Sequence, residues 1–355
     1  MKFSQLLYNQ LYTWFEHNKR ILPWRETEDA YTIWVSEIIL QQTRVEQGLP
    51  YFMQFIDRFP TLLSLAQAKE DEVLRYWQGL GYYSRARNMY KAAQQLVNNR
   101  QTDFPKTFDD IRALPGIGDY TAGAISAFAY NQPYPALDGN VYRVLARLTD
   151  CEMPFDTSAG KRHFHQVANE ILDKNNPRLF DSALMEFGAL YCIPTSPDCI
   201  NCPLQTWCQA FAHNTVDLLP VRKPRPKIRD RYFNYTIYIT PDRQTLLHQR
   251  QEKDIWHHLW EFPLQESNKL LPVKDAPFVD FTHQLSHQRI HARFVIKQAK
   301  TLPATITNKV ANGDLQVANS NLQVANSNLQ VISLSDLDNY ALSRLTLKAL
   351  EHFRL

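Results

Sequence analysis

Four of the chain's five cysteines fall in one stretch, LYCIPTSPDCINCPLQTWCQAF, as Cys192, Cys199, Cys202 and Cys208, with the spacing C-x6-C-x2-C-x5-C. No other feature restricts the fold as tightly, because clustered thiolates at short spacings suit a tetrahedral four-sulfur site, either zinc or iron–sulfur. Zinc ribbons use two C-x2-C knuckles with a long loop between them. Here one C-x2-C carries a longer arm on each side, and a single wrap around a cubane cluster fits better. The alternative is four unliganded buried cysteines. Cys151 stands apart and reads as a small buried hydrophobe.

A disulfide framework is not expected, because the chain reads as soluble and cytoplasmic. No apolar run is long enough to span a bilayer. The start, MKFSQLLYNQLYTWFEHNKR, is broken by Asn, Gln, Glu and His and lacks the apolar core and cleavage site of a signal peptide. Hydrophobic residues make up 44%, enough for real cores, and 355 residues allow two domains. The net charge of +3 says little until its distribution is considered: Arg222–Arg231, RKPRPKIRDR, holds six basic residues and one acid. That stretch is either a solvated linker or one that also lies along phosphates.

The first two-thirds of the chain read as helical. AYTIWVSEIILQQTRVEQG (30–48) is expected to form one buried helix, followed by helices over DEVLRYW, SRARNMYKAAQQLVNN, VYRVLARLT, KRHFHQVANEILDK and LFDSALMEFGALYC. Past the Pro-rich linker the period changes. YFNYTIYIT, TLLHQR and ARFVIKQAK read as strands and LDNYALSRLTLKALEHF as a closing helix, so the second domain is mixed α/β. DLQVANSNLQVANSNLQV (314–331) repeats NLQVANS; with Asn and Ser dominant it reads as an inserted, disordered low-complexity loop without a catalytic role.

Three segments carry chemistry. LPGIG, with Gly116 and Gly118, sits between helical stretches and leaves backbone N–H groups at the start of a helix near Asp119. Free donors and the helix dipole attract phosphate there, although Asp119 opposes it; the alternative is an ordinary helix–helix connection. Asp138, in ALDGNVYRVLARL, is an N-cap or a carboxylate facing a cleft. Glu37 is a lone acid in an apolar helix: either it lies on a wet face, or it is buried with the raised pKa that a general acid needs.

Together these pieces resemble the helix–hairpin–helix, endonuclease III-like DNA glycosylases, in which the hairpin, the downstream aspartate and the four-cysteine loop occur in this order. Within that superfamily the chain is similar to adenine DNA glycosylases of the MutY type, through LPWR (Leu22–Arg25), SE…LQQT (Ser36–Thr43), GLGYYSRARN (Gly79–Asn88), PGIG.YTAGAI (Pro115–Ile125) and LDGNV.RVLAR (Leu137–Arg147). The resemblance implies an all-α glycosylase domain over 1–215 with a [4Fe-4S] loop at 190–210 on Cys192, Cys199, Cys202 and Cys208. A linker over 216–230 and a Nudix-like domain over 231–355, with an insert at 303–331, would follow. That second domain lacks the acidic Nudix box and is not expected to hydrolyse nucleotides. DIWHHLWEFP matches a family stretch with two glycines where His257 and His258 stand. HQLSHQRIH matches the lesion-recognition loop, with Leu285-Ser286-His287 where Phe-Ser-His is usual. The two histidines have a second reading as metal ligands.

The resemblance also implies roles. The substrate would be double-stranded DNA with adenine opposite 8-oxoguanine or guanine, acted on by a monomer that is nucleoid-associated and not bound to membrane. The target base would be flipped out. Gln42, Thr43 and Tyr82 would act as wedge and DNA-contact residues, with Gly116 and Gly118 on the backbone. Trp24, Arg25, Leu40 and Glu186 would line the adenine pocket. Glu37 would protonate adenine at N7, Asp138 would stabilise the oxocarbenium-like sugar, and Tyr120 and Asn140 would position the carboxylates and the water. Leu285, Ser286 and His287 would read the opposite base. Bifunctional relatives carry a Schiff-base lysine where Tyr120 stands, and a tyrosine forms no imine, so no efficient lyase step is expected. Two other readings are a pyrimidine-specific relative and a non-catalytic mismatch sensor.

Overall fold

The structure is a computed structural model that describes residues 5–99, 103–224, 227–303 and 329–355. The chain divides into two compact units, one of 1–66 with 91–224 and one of 67–90 with 225–355. Residues 67–90, placed in the helical domain by sequence, thus group with the C-terminal residues. Among the described residues no helix is long and apolar enough to cross a membrane.

The first unit is helical: α1 (Gln5–Asn18), α2 (Ala30–Leu40), α3 (Val45–Arg58) and α4 (Leu62–Gln67), with α5 (Glu70–Tyr76) and the start of α6 (Ser84–Asn98) assigned to the second unit, then α7 (Phe108–Arg112), α8 (Asp119–Tyr130), α9 (Gly139–Thr149), α10 (Ser158–Ile171), α11 (Pro177–Leu190) and α12 (Gln209–His213). Helix α2 packs on α8, and α11 packs on both α1 and α9. Leu7, Leu11, Val144, Leu145, Phe180, Ala183 and Phe187 form the core between α1, α9 and α11.

The single helix expected over 30–48 is two. Asp29 caps α2 by accepting from Thr32 N at 2.8 Å. The helix stops after Leu40, Gln42 adopts a left-handed φ of 62°, and α3 begins at Val45. The four polar residues 41–44 interrupt the apolar pattern at the break, and the turn falls on them.

In the second unit, β1 (Arg229–Ile239), β4 (Leu264–Ser267), β5 (Phe278–Gln284) and β6 (Gln288–Gln298) form a mixed sheet in the order β4-β1-β6-β5. Strands β1 and β6 are parallel and the other pairs antiparallel. A second sheet has the order β3-β2-β7, from β3 (Trp260–Glu261), β2 (Gln244–Gln249) and β7 (Leu329–Ser333). Phe233, Tyr235 and Ile237 alternate inward from β1 onto a core shared with Phe294 of β6 and Leu345 and Ala349 of α13 (Arg344–Phe353).

The second unit corrects two expectations. The closing helix starts at Arg344, capped by Ser343, and not at Leu337, since 334–339 form a short 3-10 turn. The last copy of the repeat is not loop: Leu329, Gln330 and Val331 lie in β7 and pair with β2. The rest of the repeat, up to residue 328, lies outside the described residues.

Candidate active site

Glu37 sits in the middle of α2 among Ile33, Trp34, Val35, Ile38 and Ile39 and is only 8% exposed, so the wet-face alternative does not hold. Tyr120, from the first turn of α8, donates its hydroxyl to Glu37 Oε2 at 2.6 Å. Burial raises the Glu37 carboxyl to about 7; the nearby Asp138 adds to the rise, while Tyr120 and Arg25 oppose it.

Asp138 is the N-cap of α9. Its Oδ1 accepts from Asn140 N and Val141 N, both at 2.8 Å, and its Oδ2 accepts from Asn140 Nδ2 at 2.8 Å. Burial raises its pKa as well, but those three N–H bonds and the charge of Arg143 pull it back. The two carboxylates are thus unequal. Glu37 has one hydroxyl partner, whereas Asp138 has three donors that favour its anion. A shared proton belongs on Glu37.

Both face one cavity of about 950 Å³. The same cavity is lined by Trp24, Arg25, Leu40, Gln42, Thr43, Tyr120, Asn140 and Glu186, so residues scattered from 24 to 186 meet in one place. Trp24 is anchored edge-on against Phe52, with ring centroids 5.0 Å apart. Glu186 is 1% exposed and has both oxygens occupied: Oε1 by Arg20 N and Nε, each at 2.9 Å, and Oε2 by Arg20 Nη2 at 2.8 Å and Arg25 Nη2 at 2.7 Å. Burial works against ionisation, but the two guanidiniums hold Glu186 at about 2. Its carboxylate therefore fixes Arg20 and Arg25 at the wall.

The sequence reading missed Arg143. Its Nη2 donates to Asn140 Oδ1 at 2.9 Å and to Gly188 O at 2.6 Å, and its Nε donates to Cys192 O at 2.8 Å. One turn on, Arg147 is 2% exposed and donates to Ile193 O at 2.8 Å and Pro194 O at 3.1 Å, with Nη1 3.4 Å from Cys192 Sγ. Asp138, Asn140, Arg143 and Arg147 lie along one helix, so α9 runs from the carboxylate site to the cysteine loop. The only sequence signal was the i, i+4 arginine pair in RVLAR, which resembles a solvated helix face.

The hairpin residues lie outside the cavity lining, at the start of α8. Gly116 has φ 79°, in the left-handed region that favours glycine; Gly118 is extended, with φ −102°, a conformation any residue adopts. A Cβ on Gly118 would meet nothing within 4 Å, and no side chain caps α8, so the N-terminal donors stay open. Asp119, expected to repel phosphate, is paired with Arg112.

In the second unit Tyr82, with φ 49°, bonds through its hydroxyl to the hydroxyl of Ser286. Leu285, Ser286 and His287 form the β5–β6 hairpin, closed by Leu285 N to Gln288 O at 2.8 Å, with Leu285 against the core. His258 has φ 65°, a conformation glycine adopts without cost, and its Nδ1 lies 2.8 Å from Glu70 Oε1.

All five cysteines are free. Burial raises the Cys202 thiol to about 12, and the other three thiols of the loop add to this through their proximity. Backbone N–H groups of Leu204 point to Cys202 and those of Phe211 and Ala210 to Cys208. Among the described residues no three His, Cys, Asp or Glu side chains are arranged to hold a metal ion.

Residues 35–170 match the family of HhH-GPD superfamily base excision DNA repair proteins, and residues 234–352 match the NUDIX domain. The adenine DNA glycosylase of Buchnera aphidicola subsp. Acyrthosiphon pisum is 35% identical over 300 residues, covering 81% of this chain and 84% of that protein. The Mus musculus adenine DNA glycosylase is 36% identical over 231 residues, 62% of this chain and 45% of that protein. Among solved structures, a thermostable thymine-DNA glycosylase superposes with a TM-score of 0.52 at 23% identity over 58% of this chain and 94% of its own. An endonuclease III from a trapped DNA covalent intermediate gives 0.51 at 21% identity over 58% and 94%. Both structures share the helical fold of the first unit. The chain belongs to the adenine DNA glycosylase family, base-excision DNA repair enzymes that hydrolyse N-glycosyl bonds, and joins a helix–hairpin–helix domain to a Nudix-like one.

Proposed function

We propose that this enzyme excises adenine paired with 8-oxoguanine or guanine, by hydrolysis alone. The observation that carries the reading is the pair of carboxyls, Glu37 and Asp138, in opposed environments on one cavity. Adenine inside a duplex is beyond reach, so the nucleotide must be extruded into that cavity. Trp24, Leu40 and Arg25 receive the base. Protonated Glu37 delivers its proton to N7, which lets adenine leave as a neutral molecule. The C–N bond breaks toward the base, and the sugar becomes an oxocarbenium-like cation. Ionised Asp138, held by the N–H groups of Asn140 and Val141, lies where that charge develops. Water then adds to the sugar and gives up a proton to the Glu37 carboxylate, which restores the acid. Tyr120 keeps Glu37 in place and supplies no amine, so no imine forms and the strand stays intact. Tyr82 and Ser286 are assigned to the opposite base, and the open amides at the start of α8 to a phosphate.

The C-x6-C-x2-C-x5-C spacing supports a [4Fe-4S] cluster on the four loop cysteines, although their side chains are not gathered around a metal site in this structure. Their thiols are free and affect one another, backbone N–H groups point at two of them, and Arg147 stands beside a third. Such a group would fix the chain after α11 and supply no step of base release. Cys202→Ser is expected to remove the iron, the acid-labile sulfide and the visible absorbance together; iron and sulfide analysis of the purified proteins checks this.

The experiment for the function is single-turnover release from a duplex with adenine opposite 8-oxoguanine, with a thymine-containing duplex as control. Free adenine with strand breaks only after alkali is expected. Breaks without alkali, or no adenine released, would overturn the reading.

A further inference from the structure

Asp181 is a buried carboxyl that the mechanism does not use. It lies on α11, is 1% exposed, and its Oδ2 accepts the backbone N–H of Ala136 at 3.3 Å. Ala136 is fully buried and stands two residues before Asp138. Two turns further along the same helix, α11 meets the other end of this corner. A Cβ on Gly188 would stand 2.8 Å from Asn140 Cβ and 2.9 Å from Asn140 O, and Gly188 O takes the Arg143 guanidinium that also holds Asn140. Residues 181 and 188 are seven apart and share a helix face. One helix therefore brackets the Asp138–Asn140 corner, by a hydrogen bond before it and by close packing after it.

Packing alone would be served by an apolar side chain at 181, since a desolvated carboxyl is costly. What a carboxyl adds is an acceptor for Ala136 N–H, a group with no water to turn to. We propose that Asp181 is a positioning residue for base excision: it fixes the backbone ahead of Asp138 so that the Asp138 carboxylate faces the reacting sugar. The proposal rests on the assignment of Asp138 as the carboxylate that stabilises the sugar cation. Burial raises the Asp181 carboxyl well above the usual carboxylate range. Asparagine, with a carbonyl oxygen at the same reach, offers Ala136 N–H the same acceptor.

The test compares Asp181→Asn and Asp181→Leu with the wild-type enzyme on the adenine:8-oxoguanine duplex, by single-turnover release and by binding to a duplex with a non-cleavable adenosine analogue. Asp181→Leu is expected to lower the release rate by roughly 10- to 100-fold, as a misplaced catalytic group does, with duplex affinity within about twofold of wild type. Asp181→Asn is expected to restore the rate. A wild-type rate in the Leu variant, or an Asn variant as slow as the Leu variant, overturns the proposal. If Asp181→Leu does not fold, Asp181→Thr, whose oxygen falls short of Ala136 N, decides in its place by the same two readouts. Failure of the underlying reading looks different: the wild-type enzyme releases no adenine, or Asp138→Asn releases it at the full rate.

Discussion

Glu37→Gln is expected to abolish measurable adenine release while the duplex stays bound. Removing a general acid typically costs about 10²- to 10⁴-fold in rate. Gln keeps the shape and still accepts the Tyr120 hydroxyl, now 2.6 Å from Glu37 Oε2, so the cavity wall is preserved and only the proton is lost. Stability moves the opposite way. Burial raises Glu37 from 4.5 to about 7, so between those values the folded protein holds a proton that the unfolded chain has released. Stability from this group is full below the unfolded pKa and is lost as pH rises through the folded one. Above neutral pH the glutamate therefore costs up to roughly 3 kcal/mol, at 1.36 kcal/mol per unit, and Glu37→Gln is expected to melt at a higher temperature than the wild-type enzyme. Release assays alongside thermal melts at alkaline pH check both halves. A variant that turns over at the wild-type rate would remove Glu37 from the acid role.

Asp138→Asn is the second large effect. Asp138 caps α9 and lines the cavity, where the proposed mechanism has it ionised. Asn caps a helix about as well as Asp, so the fold survives and the charge goes. Loss of an electrostatic group at developing charge costs about 10²- to 10³-fold. Single-turnover release is expected to fall by at least that factor, with little change in melting temperature or duplex affinity. A large loss of stability together with the rate would show that the cap, and not the charge, had been lost.

The candidate site was legible because its parts are short and local. The lone Glu in an apolar helix, the Asp ahead of GNV and the spacing of four cysteines each carry chemistry on their face. Ten of the sequence-derived residues line one cavity, although nothing in the local patterns brings residue 24 near residue 186. That convergence came from the family resemblance. What stayed hidden depends on partners distant in sequence. Nothing in the helical segment VYRVLARLT shows that backbone carbonyls from 188 to 194 take the Arg143 and Arg147 guanidiniums. Nothing in the helical segment LFDSALMEFGALYC singles out Asp181; its partner, Ala136 N–H, lies 45 residues away. The break after Leu40 falls on the polar run 41–44, which is too short to separate a turn from a wet face of one long helix. In the second unit the repeat looked uniform, yet its last copy pairs as a strand: alternation in LQV is too short to separate strand from loop, and tertiary pairing with β2 decides.

The central claim is that Glu37 is the proton donor, made so by burial, beside an ionised Asp138. The most direct test is the pH dependence of single-turnover adenine release by the wild-type enzyme. Release is expected to fall as pH climbs past about 7, approaching roughly tenfold per pH unit, as Glu37 loses its proton in the cavity. A rate that stays level from about pH 6 to about pH 9 would contradict a titrating acid at Glu37, and with it the division of labour between the two carboxyls.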